Sequence, residues 1–284
     1  MRPTSFRTIA VLTLIPVAGV LLFIGYVFAR TGHVPISQGD LPLPTSPEVM
    51  EANAAPALPE APKTPKHRGD IVLIIDDVGF ENQPLDRAMQ IDPDVNFAVL
   101  PNGNRTADFA NALNRRGFEI LCHLPMEPIG RESPGPGAIT TSMSDEEIAR
   151  ATRENVAAVP HARGVNNHMG SRATADRRVM STVLRALPDG MYFIDSKTSG
   201  RSVAWNVARE MKVRTAARHV FLDDVQSKAA IRKQLHTLAA AAEQRGVAVG
   251  IGHIYPVTVD VLREEIPNLR TRGFRLLRAS DAVR

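Results

Sequence analysis

Apolar and polar positions from residue 69 onward follow two alternating rhythms. Short aliphatic runs recur between longer stretches whose apolar residues fall three and four apart, the signatures of strand and helix. The clearest run is Ile71-Val72-Leu73-Ile74-Ile75, which leads directly into Asp76-Asp77-Val78-Gly79. A run this short and this rich in β-branched residues predicts a strand buried on both faces. Further strands are predicted at 96–100, 118–123, 164–168, 191–195, 220–224, 247–253 and 274–278. Helices are predicted between them, at 105–116, 145–159, 175–187, 202–211, 228–245 and 259–272. The second of these opens on Ser144 with Glu147 three residues later, the pattern of a capping box. Gly117, Gly190, Gly246 and Gly273 each stand where a helix should stop before the next strand.

Strands alternating with helices mean βαβ units and a parallel sheet. Seven or eight such units fit a closed or nearly closed (β/α) barrel. An open doubly wound sheet is the alternative. No Gly-x-Gly-x-x-Gly follows the first strand, which counts against a dinucleotide fold.

The N-terminal pattern is different. No charged residue occurs between Arg7 and Arg30, and a membrane-spanning helix needs about 20 apolar residues. Arg2 and Arg7 precede the run, so the tail should stay cytoplasmic and the remainder should be exported. Residues 1–30 are therefore expected to be a cytoplasmic tip and a transmembrane signal-anchor. A cleaved signal peptide is the alternative, although no small-x-small cleavage site follows and Arg30 arrives at once. Residues 31–68 carry Pro35, Pro42, Pro44, Pro47, Pro56, Pro59, Pro62 and Pro65 without apolar periodicity. They predict a disordered Pro/Ala-rich linker. Residues 69–284 form the expected barrel domain. This order places the chain in the inner (cytoplasmic) membrane as a single-pass protein, with the C-terminal domain in the periplasm or outside.

Composition adds exclusions. A net charge of +4 over 284 residues, with 5% aromatics, lacks the clustered basic and stacking character of a nucleic-acid binder. Cys122 is the one cysteine, so no internal disulfide supports the domain. Its place in an apolar strand assigns it to packing.

Candidate chemistry gathers at the C-terminal ends of the predicted strands, which in a barrel converge on one rim. These ends read Asp76-Asp77, His123, Asn166-Asn167-His168, Asp195-Ser196, Asp223-Asp224 and Gly252-His253. Adjacent acids in a strand point to opposite sides, so Asp76 and Asp77 should have different jobs. One carboxylate with two imidazoles suits zinc or another divalent ion and leaves a position open. A second carboxylate can serve as general base and another histidine as general acid. Such a set suits metal-assisted hydrolysis of an amide or ester.

Residues from about 70 to 283 resemble the divergent polysaccharide deacetylases, relatives of the NodB-type deacetylases. The resemblance rests on five segments. They are Ile74-Ile75-Asp76-Asp77-Val78-Gly79, His123-Leu124-Pro125-Met126-Glu127-Pro128, Asn166-Asn167-His168-Met169-Gly170-Ser171, Phe193-Ile194-Asp195-Ser196 and Ile251-Gly252-His253. It implies an α/β fold, a distorted (β/α) barrel with about seven parallel strands. It also implies removal of N- or O-acetyl groups from a polysaccharide, with a divalent metal, zinc being the expected ion. The implied partner is an acetylated polysaccharide or cell-wall glycan.

By the same resemblance Asp76 is the base, Asp77 and His123 are metal ligands, His253 is the acid, and Asp195 orients His253. Glu127 occupies the place of the family's second metal histidine. His168 is the expected replacement ligand and Glu127 its rival. The usual arginine-and-proline motif on the fourth strand is missing, with Arg172 the nearest candidate. These departures keep a second possibility open, a catalytically inactive glycan- or metal-binding envelope protein of the same fold. The proline-rich loop 124–143 exceeds the ~2–6 residues of an ordinary βα connection and is expected to shape the substrate site. The stretch 196–201 is placed to donate hydrogen bonds to a sugar or an oxyanion.

Overall fold

A computed structural model of the chain describes residues 66–284. The expected anchor lies outside the described residues, as does the linker through residue 65. Among the described residues no helix is long and apolar enough to cross a membrane.

Among the described residues nine strands make one parallel sheet. They are β1 (Gly69–Val78), β2 (Asn96–Val99), β3 (Glu119–Met126), β4 (Ala162–Met169), β5 (Tyr192–Asp195), β6 (Thr215–Ala217), β7 (Val220–Phe221), β8 (Val247–His253) and β9 (Phe274–Leu276). The longer helices between them are α2 (Thr106–Arg115), α3 (Asp145–Ala158), α4 (Arg177–Ala186), α5 (Ala204–Glu210), α6 (Lys228–Arg245) and α7 (Pro256–Thr271). The short helices α1 (Leu85–Ala88) and α8 (Ala279–Ala282) complete the set. The capping box forms as expected: Glu147 N donates to Ser144 Oγ at 3.2 Å, and Ser144 N donates to the Glu147 carboxylate at 2.8 Å. All four helix-ending glycines adopt positive φ.

The strand order is β6-β5-β4-β3-β2-β1-β8-β7, with β9 beside the start of β1. The two ends of this order are neighbours in sequence. Only Arg218 and His219 separate β6 from β7. The Arg218 amide donates to Asp195 O at 2.9 Å and the His219 amide to Val249 O at 2.8 Å. One stretch of chain thus bridges β5 and β8, and the sheet curls on itself as a distorted barrel. The predicted strand 220–224 shrinks to two residues, and Thr215–Ala217 forms a strand that the pattern misses. That segment is too short, and too closely flanked by Arg214 and Arg218, to show alternation.

Side-chain parity sorts the core into two layers. Ile71, Leu73 and Ile75 pack outward against the helices. Val72 and Ile74 point into the barrel with Leu121, Tyr192, Ile194, Val249 and Ile251, above Ala279 and Val283 of the C-terminal segment. Gly164 on β4 leaves room for the Tyr192 ring, which a Cβ there would overlap. Gly164→Ala is expected to destabilise the domain by about 1–3 kcal/mol through overpacking. A denaturant midpoint equal to that of the wild type would contradict this packing.

Candidate active site

The C-terminal strand ends form one mouth. Asp76 follows the parity of Val72 and Ile74 and faces inward, where it is buried. In a regular strand Asp77 would face the helices. Instead, the pairing with β2 slips between Ile75 and Val78, and Asp77 adopts φ 62°. A bulge of this kind re-aims a side chain, and Asp is among the residues that tolerate a left-handed backbone. Both acids therefore reach the same imidazole nitrogen. His123 Nε2 lies 3.5 Å from Asp76 Oδ2 and 3.2 Å from Asp77 Oδ1. The expectation that the two acids point to opposite sides is corrected by this bulge. Gln83 pins it: its Nε2 donates to Asp77 O at 2.6 Å, and its Oε1 accepts from the Gly79 and Phe80 amides.

His168, on β4, brings Nδ1 to 2.9 Å from Asp77 Oδ1 and 3.2 Å from His123 Nε2. Asp77, His123 and His168 thus converge, with one donor atom from each lying within 4.8 Å of the others. Glu127 does not join them. One of its oxygens accepts from Thr141 N and Oγ1, both at 2.7 Å, and the other pairs with Arg172 at 3.2 Å. Arg172 is occupied by the same pair.

Asn166 connects the ligand cluster to the base candidate. Its Nδ2 donates to Asp76 Oδ1 at 2.9 Å, so its Oδ1 is left to accept from His123 Nδ1, also at 2.9 Å. This holds a His123 proton on Nδ1 and turns Nε2 toward Asp77 and His168.

His253, from β8, stands across from Asp77 with Nε2 at 3.8 Å from Asp77 Oδ2. Its Nδ1 donates to Asp223 Oδ1 at 2.9 Å. Asp223 Oδ2 accepts from the His253 amide at 2.6 Å and from Thr258 Oγ1 at 2.8 Å. Asp195 does not orient His253. It shares the outward parity of Phe193, and its carboxylate accepts from Lys197 N at 2.8 Å, Ser202 Oγ at 2.8 Å and Trp205 N at 3.3 Å. It therefore ties down the loop entering α5. The sequence marks Asn166 and Asp223 as strand-end residues without assigning them roles. Gln83 and Arg218 carry no strand-end signal at all. Arg218 crosses the gap between β6 and β7, donating to Ser196 O at 2.5 Å and Lys197 O at 2.7 Å.

Burial pushes the Asp76 carboxyl up, against the opposing pull of His123 and His253. Burial also works against a charged Asp77, but His123 and His168 outweigh it and hold that carboxyl well below the usual range. For His253, burial lowers the pKa and the bond to Asp223 more than offsets it, leaving the imidazole at about 9. Burial likewise opposes a charged His123, yet Asp76 and Asp77 raise its pKa. The cluster attracts positive charge. Asp77 Oδ1 is buried with no hydrogen-bond donor aimed at it. That oxygen, together with two facing imidazoles, fits a borderline divalent cation.

Comparison with known proteins agrees with this architecture. The chain is 35% identical over 207 residues to the uncharacterized protein YibQ of Escherichia coli, a match spanning 72% of this chain and 65% of that protein. It is 34% identical over 204 residues to an uncharacterized protein of Haemophilus influenzae, covering 70% of this chain and 71% of its relative. The crystal structure of ATU2773 from Agrobacterium tumefaciens shares the fold, with a TM-score of 0.73 and 22% identity over 76% of this chain and 90% of that one. The profile described as divergent polysaccharide deacetylase matches residues 73–283. That span runs from the first strand to the end of the barrel and takes in every residue of the mouth; the chain belongs to the divergent polysaccharide deacetylase family.

Proposed function

We propose that this chain is a membrane-anchored, metal-dependent carbohydrate deacetylase acting on acetylated cell-envelope polysaccharide. The observation that carries this reading is the convergence of Asp77, His123 and His168 between two further groups of complementary character, buried Asp76 and His253. The uncharged run between Arg7 and Arg30 supports an inner-membrane anchor with the barrel in the periplasm.

Asp77, His123 and His168 would hold the ion, and the donor set suits zinc. When bound, the ion acts as a Lewis acid on the acyl carbonyl. The chain's own groups handle the protons. Asp76 takes a proton from the water whose oxygen bonds to the carbonyl carbon. His253 gives its Nε2 proton to the departing amine or hydroxyl as the C–N or C–O bond breaks. The products are acetate and the deacetylated sugar. Asn166 steadies Asp76 through this step, and Asp223 holds the His253 ring.

Titration of the metal-free full chain with zinc tests the site. One equivalent bound supports the reading, and no binding removes it. One equivalent bound without acetate release favours a glycan- or metal-binding protein instead. A separate prediction concerns Asp223→Asn. Loss of this outer partner should lower kcat by about 10–100-fold. Removing the negative charge also lowers the His253 pKa. Because the acid must be protonated, activity falls as pH rises through that pKa, and the alkaline limb of the kcat profile should move to lower pH. An unmoved limb would contradict the role given to Asp223.

A further inference from the structure

Two depressions meet at the site. One, of about 410 Å³, contains Asp76, Arg218, Ser196 and Thr198. The other is a groove of about 510 Å³, and Asp77, His168 and His253 line both. The groove is therefore continuous with the reacting centre.

Its chemistry is unusual for a sugar site. Apart from those three shared residues it has no charged side chain. Pro84, Pro101, Pro125, Pro134, Pro136 and Pro256 form much of its wall, and proline has no N–H to donate. Phe80 lies along it and is 44% exposed, an aromatic ring left uncovered. Asn82 and Tyr255 present polar groups to the groove, but the other polar side chains on the wall are engaged elsewhere. Gln83 holds the bulge, and Asn102 Nδ2 donates to Pro136 O at 2.8 Å. Ser133 Oγ accepts from the Gly135 amide at 3.3 Å. The proline loop is itself fastened, with Asn155 Nδ2 donating to Gly137 O at 2.8 Å, so the groove is preformed.

A sugar leaving water needs replacement hydrogen bonds for its hydroxyls, and this wall offers few. An alkyl chain needs none and gains from burial. The volume falls within the roughly 300–1,000 Å³ of pockets for drug-sized ligands, far beyond the needs of one acetyl methyl. We infer that the groove is an acyl-chain subsite, and that besides acetyl the site takes saccharides carrying longer amide- or ester-linked acyl groups. The sugar lies over the Arg218 side. This inference rests on the acyl-sugar hydrolase reading of the site.

Calorimetric binding of N-acetyl-, N-butanoyl-, N-hexanoyl- and N-octanoylglucosamine to the full chain held in detergent-free lipid nanodiscs, with empty nanodiscs as the blank, tests it. Affinity should rise roughly fourfold per buried methylene. Ser133→Trp, which fills the groove, and Phe80→Asp, which charges its edge, should each flatten that series. Equal affinity across the wild-type series overturns the inference, as does a series unaltered in both variants. Binding is read without turnover. A rising series without acyl release would therefore remove the hydrolase reading and keep the groove, whereas acetate release with a flat series would do the reverse.

Discussion

His123→Ala should abolish stoichiometric metal binding while the barrel stays folded. His123 lies at the centre of the cluster, within 3.5 Å of both aspartates and of His168. Removing it leaves one imidazole and one carboxylate. Loss of a direct ligand should weaken binding by more than the roughly 10–100-fold associated with an outer partner. The fold should survive, because the apolar interior of the barrel and the layer beneath the helices do not depend on this ring. Ion analysis of the full-chain variant, with far-ultraviolet circular dichroism as the control for folding, checks both parts. One equivalent of metal retained by folded His123→Ala would refute the ligand assignment.

Asp76→Asn should separate binding from chemistry. Its carboxylate is buried, is hydrogen-bonded by Asn166, and is not one of the three converging groups. The amide is nearly isosteric but cannot accept the water's proton. A general base contributes about 10²–10⁴-fold, so kcat should fall by that order while metal stoichiometry stays at one. A variant with near-normal kcat would transfer the base role elsewhere. A variant that lost its metal would make Asp76 a ligand.

Much of this site is legible in parity. Asp76, His123 and His253 continue the inward-facing positions of Ile74, Leu121 and Ile251, and the same alternation puts Asp195 on the outward face with Phe193. Counting by twos along β5 would have ruled out Asp195 as the partner of His253. Asp77 could not be read this way. Its parity points outward, and only the bulge and its left-handed backbone turn it to the ligands. No sequence period reports such a slip.

Asp223 was hidden for another reason. It follows a strand of two residues, too short to show alternation, and its pairing with His253 spans 30 residues of chain. The fold itself was more open to sequence reading, since β1, β3 and β8 are largely apolar runs and four of the helix-to-strand turns carry a glycine. What escaped was the closure of the barrel, made by a broken strand whose two halves pair with different neighbours.

The most direct measurement is acetate release from acetylated cell-wall glycan fragments by the full chain, compared in its metal-free and zinc-loaded forms. The account predicts release that appears with the ion, disappears on chelation and returns when zinc is restored. Metal-loaded, folded protein that releases no acetate from any acetylated glycan, or release that persists unchanged without metal, would contradict it.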